Sequence, residues 1–208
     1  MRLVVFAKAP VIGGAKTRLA AGIGKVAAWR RHRAMTARIL RRVRDPRWDS
    51  VLAAAPDAAL SRRFPGVWPD ALARIAQGGG DLGARQARVF AAGGCPPRPS
   101  RQGKGGGTLV IGTDAPQVTR ADIAAAFRLL KRHDAVIGPA ADGGYWLFGL
   151  ARPAPPGLFD GVRWSHAETR ADLKARLHVF GLARIAHLRT LRDVDHAADL
   201  AALNRDGT

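Results

Sequence analysis

Short apolar runs alternate along the chain with longer stretches of mixed polarity. Leu3 to Phe6 is a compact run rich in β-formers and predicts a buried first strand. A loop from Ala7 through Lys16 follows, punctuated by Pro10, Gly13 and Gly14. Thr17 to Leu19 leads into a helical region, with a long helix from about Lys25 to Arg44 that Asp45-Pro46 ends. Ser50 to Ala55 reads as a second strand, and Pro56-Asp57 opens a short helix ending before Pro65. Gly78-Gly79-Gly80 breaks the chain, and Asp81 stands at the cap of a helix running to Ala92. Beyond it come a strand at Thr108–Gly112, an amphipathic helix at Asp122–Arg132, and strands at Ala135–Gly138 and Tyr145–Leu150. A helix at Glu168–Phe180, a strand at Ile185–Leu188 and a helix at Ala197–Asn204 complete the series. Strands alternating with helices predict an α/β fold, a mainly parallel sheet covered on both faces in three layers.

Composition narrows the class. The 208 residues suffice for one well-buried core and are too few for two full domains, so residues 1–208 are expected to form one domain. Hydrophobic content of 47% with 24% charged residues is ordinary for a globular protein and excludes wholesale disorder. Gly93 to Gly107 is almost all Gly, Pro, Arg, Ser and Lys, the composition of a flexible surface excursion. No apolar run approaches the ~20 residues that span a bilayer. The first residues lack the apolar length and cleavage site of a signal peptide. The one cysteine, Cys95, has no internal disulfide partner, which agrees with a reducing, cytoplasmic setting.

A net charge of +18 favours anionic partners. Much of it falls in one candidate helix, on Arg30, Arg31, Arg33, Arg38, Arg41, Arg42 and Arg44, where cations can simply cover a solvated face. Nucleic-acid binding would be better supported by aromatics interleaved among these cations, and Trp29 and Trp48 only bracket the helix.

Three segments fall where ligands collect in such a sheet, outside the carboxyl ends of strands. The first is Lys8 through Leu19. Gly13 and Gly14 allow backbone N–H groups to approach phosphate oxygens, and Lys8, Lys16 and Arg18 can offset phosphate charge. Lys16-Thr17 looks like the end of a P-loop, but the two glycines that motif needs are replaced by Ala15 and Pro10, so that reading fails. The second is Ile111-Gly112-Thr113-Asp114-Ala115-Pro116. A carboxylate at a strand end is placed to bind Mg²⁺ or Mn²⁺, although Asp114 could equally cap the turn at Pro116. The third is Gly138 through Trp146, in which Asp142-Gly143-Gly144 reads locally as a tight turn and alternatively as a close approach to ligand beside Tyr145.

Together these segments resemble a family of uncharacterised bacterial glycosyltransferase-like proteins in the GT-A, or nucleotide-diphospho-sugar transferase, superfamily. The matching pieces are Phe6-Ala7-Lys8-Ala9-Pro10 with Lys16-Thr17-Arg18-Leu19; Gly80-Asp81-Leu82-Gly83 with Arg85; Ile111 to Asp114 with Pro116; Gly138-Pro139 with Asp142 to Tyr145; Trp164-Ser165; and Asp193-Val194-Asp195. The first loop also looks like that of 2-phospholactate guanylyltransferases. The resemblance implies a GT-A fold in which Lys16 and Arg18 contact nucleotide phosphates, with Ala7, Lys8, Gly13, Gly14 and Asp81 beside the nucleotide. It implies that Asp114 holds Mg²⁺ or Mn²⁺, with Asp195 completing the coordination, and that Asp142 to Tyr145 face the acceptor. Asp195 also reads as a polar lead into the last helix, and Asp81 as a simple helix cap. This chain departs from the family at Ile12-Gly13, commonly Pro-Gly, and at Ser165-His166, commonly Ser-Thr, so His166 reads as a local substitution rather than a base.

The expected chemistry is metal-assisted transfer from a nucleoside triphosphate or nucleotide-sugar to a small acceptor. The cationic loop favours nucleotidyl transfer, and the family resemblance favours glycosyl transfer. A non-catalytic nucleotide- or nucleic-acid-binding protein is the remaining class.

Overall fold

A computed structural model describes residues 1–91 and 107–205. Seven strands, β1 (Arg2–Lys8), β2 (Asp49–Ala55), β3 (Ala73–Ala76), β4 (Thr108–Ile111), β5 (Ala135–Pro139), β6 (Tyr145–Leu150) and β7 (Ile185–His187), form one sheet ordered β3-β2-β1-β4-β6-β5-β7. All neighbours run parallel except β6, which is antiparallel to both β4 and β5. The helices are α1 (Thr17–Ile23), α2 (Lys25–Arg42), α3 (Leu82–Phe90), α4 (Arg120–Leu129), α5 (Thr169–Val179) and α6 (Ala197–Arg205).

The period of two along the strands sorts the apolar residues onto two faces. Leu3, Val5, Leu52, Ala54, Leu109 and Ile111 pack against Ile39 and Leu40 of α2 and Ile123, Ala126 and Phe127 of α4. Val4, Val51, Ala53, Val110 and Phe148 pack against Val89 and Phe90 of α3 and Leu173 and Leu177 of α5. The result is the expected three-layer αβα arrangement, in which each fully buried Leu or Ile stabilises by about 1.5–3 kcal/mol. On α2, Arg30, Arg31 and Arg41 are exposed, the solvated cationic face anticipated from the sequence. Arg42 instead donates to the Pro116 carbonyl at 3.2 Å and ties the helix to the loop after β4.

Two elements differ from the sequence reading. β3 was not expected: its Ala-Arg-Ile-Ala holds a single β-branched residue, and it is a strand because it pairs with β2. The helix expected from Pro56-Asp57 to Pro65 shrinks to one 3₁₀ turn, Asp57–Ala59. The Asp57 carboxylate is drawn away to accept the Gly78 N–H at 3.1 Å, while Phe64, Val67 and Trp68 enter the core from turns. The excursion expected over Gly93–Gly107, with Cys95, lies outside the described residues apart from Gly107.

Parallel pairing brings the carboxyl ends of β1 and β4 to one edge of the sheet. The link from β5 to β6 is too short for a parallel crossover, so it is a turn, and it delivers Asp142 and Gly144 to the same edge. The segment after β7 then crosses that edge. Leu191 donates to the Pro139 carbonyl at 3.0 Å and Val194 to the Asp114 carbonyl at 2.9 Å, which carries Asp193 and Asp195 from β5 to β4.

Thr119 and Asp122 form a reciprocal capping box at the start of α4, and Arg189 holds the Asp122 carboxylate at 2.9 and 2.8 Å. Burial alone would raise the Asp122 carboxyl, but hydrogen bonds from Arg189 and Thr119 outweigh it and hold it below the ordinary aspartate range. Thr119→Ala should cost about 1 kcal/mol, and Asp122→Ala more, by urea denaturation at pH 7. A depressed carboxyl contributes stability above its unfolded value and loses it as pH falls through the folded one. The gap between Asp122→Ala and wild type should therefore close in acid; a gap that persists contradicts the assignment. Gly143 has φ +91°, and a Cβ there would strike the Ala167 carbonyl, whereas Gly13 at φ +76° faces open space. Gly143→Ala should cost about 2–4 kcal/mol and Gly13→Ala about 1 kcal/mol, read from the same transitions.

Candidate active site

A cavity of about 690 Å³ opens at this edge between the loop after β1, the loop after β4, the β5–β6 turn and the 193–195 segment. The first loop is clipped in place. Ala9 donates to the Ala55 carbonyl at 2.7 Å, Gly14 to the Val11 carbonyl at 3.1 Å, and the Trp29 indole to the Pro10 carbonyl at 2.7 Å. The loop ends at Lys16, whose φ of 57° and ψ of 42° put a non-glycine residue in the left-handed region immediately before α1.

That conformation turns the Lys16 side chain inward. Its ammonium lies 2.7 Å from Asp114 Oδ1 and 2.8 Å from Asp195 Oδ1, and donates to the Val194 carbonyl at 2.6 Å. The lysine side chain is 5% exposed, whereas those of Asp114 and Asp195 are 46% and 38% exposed, so the cation is enclosed and its carboxylate partners remain open to the cavity. Burial would lower the Lys16 ammonium, but Asp114 and then Asp195 outweigh it and raise it. Burial would likewise raise the Asp195 carboxyl, and Lys16 holds it down instead. Lys16 is charged here.

Asp193 was quoted in the sequence only as part of Asp193-Val194-Asp195 and was given no role. Burial pushes its carboxyl up to about 7, with Asp114, Asp142 and Asp195 adding like charge and Lys16 offsetting part of it. Its Oδ1 is buried without a protein partner. Three more lining residues escaped the sequence reading. His32 of α2 is 3% exposed, with Nε2 3.3 Å from the Lys8 carbonyl and Nδ1 unpartnered; burial lowers its pKa and keeps it neutral. Gln77 donates to the Ala53 carbonyl at 2.8 Å. Gln86 of α3 is 1% exposed, donates to the Tyr145 hydroxyl and leaves its own Oε1 without a partner. All three sit at helix or strand-end positions indistinguishable in sequence from core packing.

Of the residues singled out in the sequence, Lys8, Lys16, Arg18, Asp114, Asp142, Gly144, Tyr145 and Asp195 line the cavity, and so does His166. Lys8 and Arg18 are exposed in the cavity wall. Ala7, Gly13, Gly14, Asp81 and Gly143 are not among its lining residues. Ala7 is buried in β1, Gly13 and Gly14 shape the loop, and Gly143 forms the β5–β6 turn. Asp81 caps α3, accepting the Ala84 N–H at 2.8 Å. His166 Nδ1 accepts the Glu168 N–H at 3.1 Å. Among the described residues, no group of three or more His, Cys, Asp or Glu side chains is arranged to hold a metal ion, and no helix is long and apolar enough to cross a membrane.

Residues 38–166 match the family described as an uncharacterized protein conserved in bacteria, DUF2064. No curated protein sequence matches the chain. Among solved structures, a protein from Desulfovibrio desulfuricans G20 provisionally named a nucleotide-diphospho-sugar transferase superposes with a TM-score of 0.86 at 28% identity, over 100% of this chain and 87% of that one. The 4-diphosphocytidyl-2C-methyl-D-erythritol synthase of Anaerococcus prevotii DSM 20548 superposes at 0.57 with 9% identity, over 99% and 94% of the two chains. A CMP:2-keto-3-deoxy-manno-octonic acid synthetase complexed with CTP superposes at 0.52 with 12% identity, over 98% and 96%. These neighbours are enzymes of nucleotidyl- and glycosyltransferase type. The chain belongs to the DUF2064 family and carries the nucleotide-diphospho-sugar transferase fold.

Proposed function

We propose that the protein is a metal-assisted transferase that takes a nucleoside triphosphate as donor and moves its nucleotidyl group to a small acceptor. The observation that carries this reading is the convergence, at one cavity edge, of Lys8, Lys16 and Arg18 with the open carboxylates Asp114 and Asp195. Cations alone would suit any anion, and carboxylates alone any cation. Both together suit a polyphosphate with its divalent ion.

The donor set fits Mg²⁺ or Mn²⁺. Such ions take hard oxygen ligands, commonly one or two carboxylates with the rest from water and substrate phosphate. Asp114 and Asp195 supply two carboxylates, and the unpartnered Asp193 Oδ1 lies close enough to both for their charges to raise its pKa. When bound, the ion would neutralise charge on the phosphate oxygens. The chain's own residues do the remaining work. In nucleotidyl transfer an acceptor phosphate oxygen bonds to the α-phosphorus, the α–β bridging P–O bond breaks, and pyrophosphate leaves with the bond's electron pair. Lys8, Lys16 and Arg18 stabilise the charge developing on that leaving group, so catalysis is positioning plus electrostatics. Asp142, Gly144 and Tyr145 also line the cavity, and the acceptor would lie beside them.

Glycosyl transfer from a nucleotide-diphospho-sugar is the second reading, and the name borne by the Desulfovibrio structure favours it. There the acceptor attacks the sugar carbon and a nucleoside diphosphate leaves. The same cations would stabilise that leaving group.

Thermal-shift measurements with nucleoside triphosphates and nucleotide-sugars, each with and without Mg²⁺ or Mn²⁺, test the proposal. One class should raise the melting temperature, more with metal than without, and the released product, pyrophosphate or nucleoside diphosphate, separates the two reactions. Asp114→Asn should lower kcat/KM by about 10²–10³-fold and abolish the metal-dependent part of the shift. If no nucleotide stabilises the protein under either condition, the transferase reading falls. If stabilisation instead tracks ionic strength across unrelated polyanions and survives Asp114→Asn, the protein is a non-catalytic polyanion binder.

A further inference from the structure

We propose that Lys16 is a resident counter-cation of the Asp114–Asp195 pair, which blocks divalent metal from binding alone and admits it only when a polyphosphate takes the ammonium over. The inference rests on the transferase reading above and adds a binding order to it.

An ammonium has three N–H bonds. In Lys16 each has an acceptor: Asp114 Oδ1 at 2.7 Å, Asp195 Oδ1 at 2.8 Å and the Val194 carbonyl at 2.6 Å. No donor is left over, so Lys16 reaches a phosphate oxygen only by giving up at least one of these contacts. A divalent ion on the same carboxylate oxygens would lie within a few ångströms of that ammonium, and like charges at such a separation repel strongly in a partly buried site. The two cations therefore exclude each other. A polyphosphate removes the conflict, because its oxygens accept the ammonium and also supply the rest of the metal's ligands.

The exchange needs only side-chain motion. The Lys16 backbone is fixed between the hydrogen bonds that clip the preceding loop and the first turn of α1, where its carbonyl accepts the Ala20 N–H at 2.8 Å. With the backbone held, the lysine side chain is the moving part. Because the coupling is between two binding events, it is reciprocal: polyphosphate raises metal affinity by the factor by which metal raises polyphosphate affinity. The exposure pattern agrees, since the carboxylates are 46% and 38% exposed and accessible to an incoming ion while the lysine is 5% exposed.

The test is a titration of Mn²⁺ alone into the full chain, followed by the electron paramagnetic resonance of free Mn²⁺. Lys16→Met should bind Mn²⁺ about tenfold or more tightly than wild type, and Lys16→Met combined with Asp114→Asn should lose that gain. Lys16→Gln provides a second neutral variant whose amide can still bridge the carboxylates if Lys16→Met folds poorly. Both variants should melt below wild type without metal and recover with Mn²⁺, a rescue that a purely structural role for Lys16 would not produce. Equal Mn²⁺ affinity in wild type and both variants overturns the proposal, and the transferase reading survives if that binding still requires Asp114. If no nucleoside triphosphate stabilises the wild type even with Mn²⁺, the transferase reading fails and this proposal with it.

Discussion

A single ammonium group organises the carboxyl edge of this sheet. Asp114 lies in the loop after β4, Asp195 precedes α6, and Lys16 closes the loop after β1; Lys16 and Asp195 stand 179 positions apart in the chain. Three carboxylates, Asp114, Asp193 and Asp195, crowd one cavity, and without an enclosed cation their mutual repulsion would oppose the folded arrangement. Lys16 offsets that repulsion. It does so through a left-handed backbone conformation that costs a non-glycine residue of order 1–2 kcal/mol, a cost sustained only because three short contacts depend on it.

The fold supplies what that interaction requires. Parallel pairing of β1 with β4 sets the Lys16 loop beside Asp114, and the antiparallel turn from β5 to β6 adds Asp142 and Gly144 to the cavity lining. The crossing segment after β7 is hydrogen-bonded to the carbonyls of Pro139 and Asp114, so Asp195 arrives by backbone pairing rather than by the wandering of a loop. Its Val194 is buried with Leu19 of α1 and Met35 of α2, which locks the carboxylate segment to the cationic loop through a small apolar cluster of its own. Stability and the proposed chemistry thus share residues, and a substitution at Lys16 touches both.

Much of this was legible in the sequence. The apolar runs gave the strands they predicted to within a residue or two, because buried strands in a parallel sheet are nearly continuous apolar runs. Lys16, Arg18 and Asp114 were recognisable as candidates from residue type and position and Asp195 through the family resemblance, and the structure gathers them into one cavity. The direct ion pair was not legible: the sequence reading aimed Lys16 at phosphate, whereas its side chain rests on the carboxylates. Long-range side-chain contacts of that kind leave no local pattern. The role of Asp193, quoted only as part of its motif, was missed for the same reason, since its shifted acidity comes from burial and from Asp114, Asp142 and Asp195 gathered around it. His32 and Gln86 were hidden because a polar residue on the inward face of a helix reads as an ordinary interruption of core packing. β3 was hidden because four residues with one β-branched side chain carry no strand signal until β2 pairs with them.

The most direct test is a crystal structure of the protein with Mn²⁺ and a non-hydrolysable nucleoside triphosphate, read by anomalous scattering. The account predicts the Lys16 ammonium against a phosphate oxygen and a manganese peak beside Asp114 and Asp195. A nucleotide bound elsewhere, or one bound in this cavity while Lys16 still bridges the two carboxylates, would contradict it.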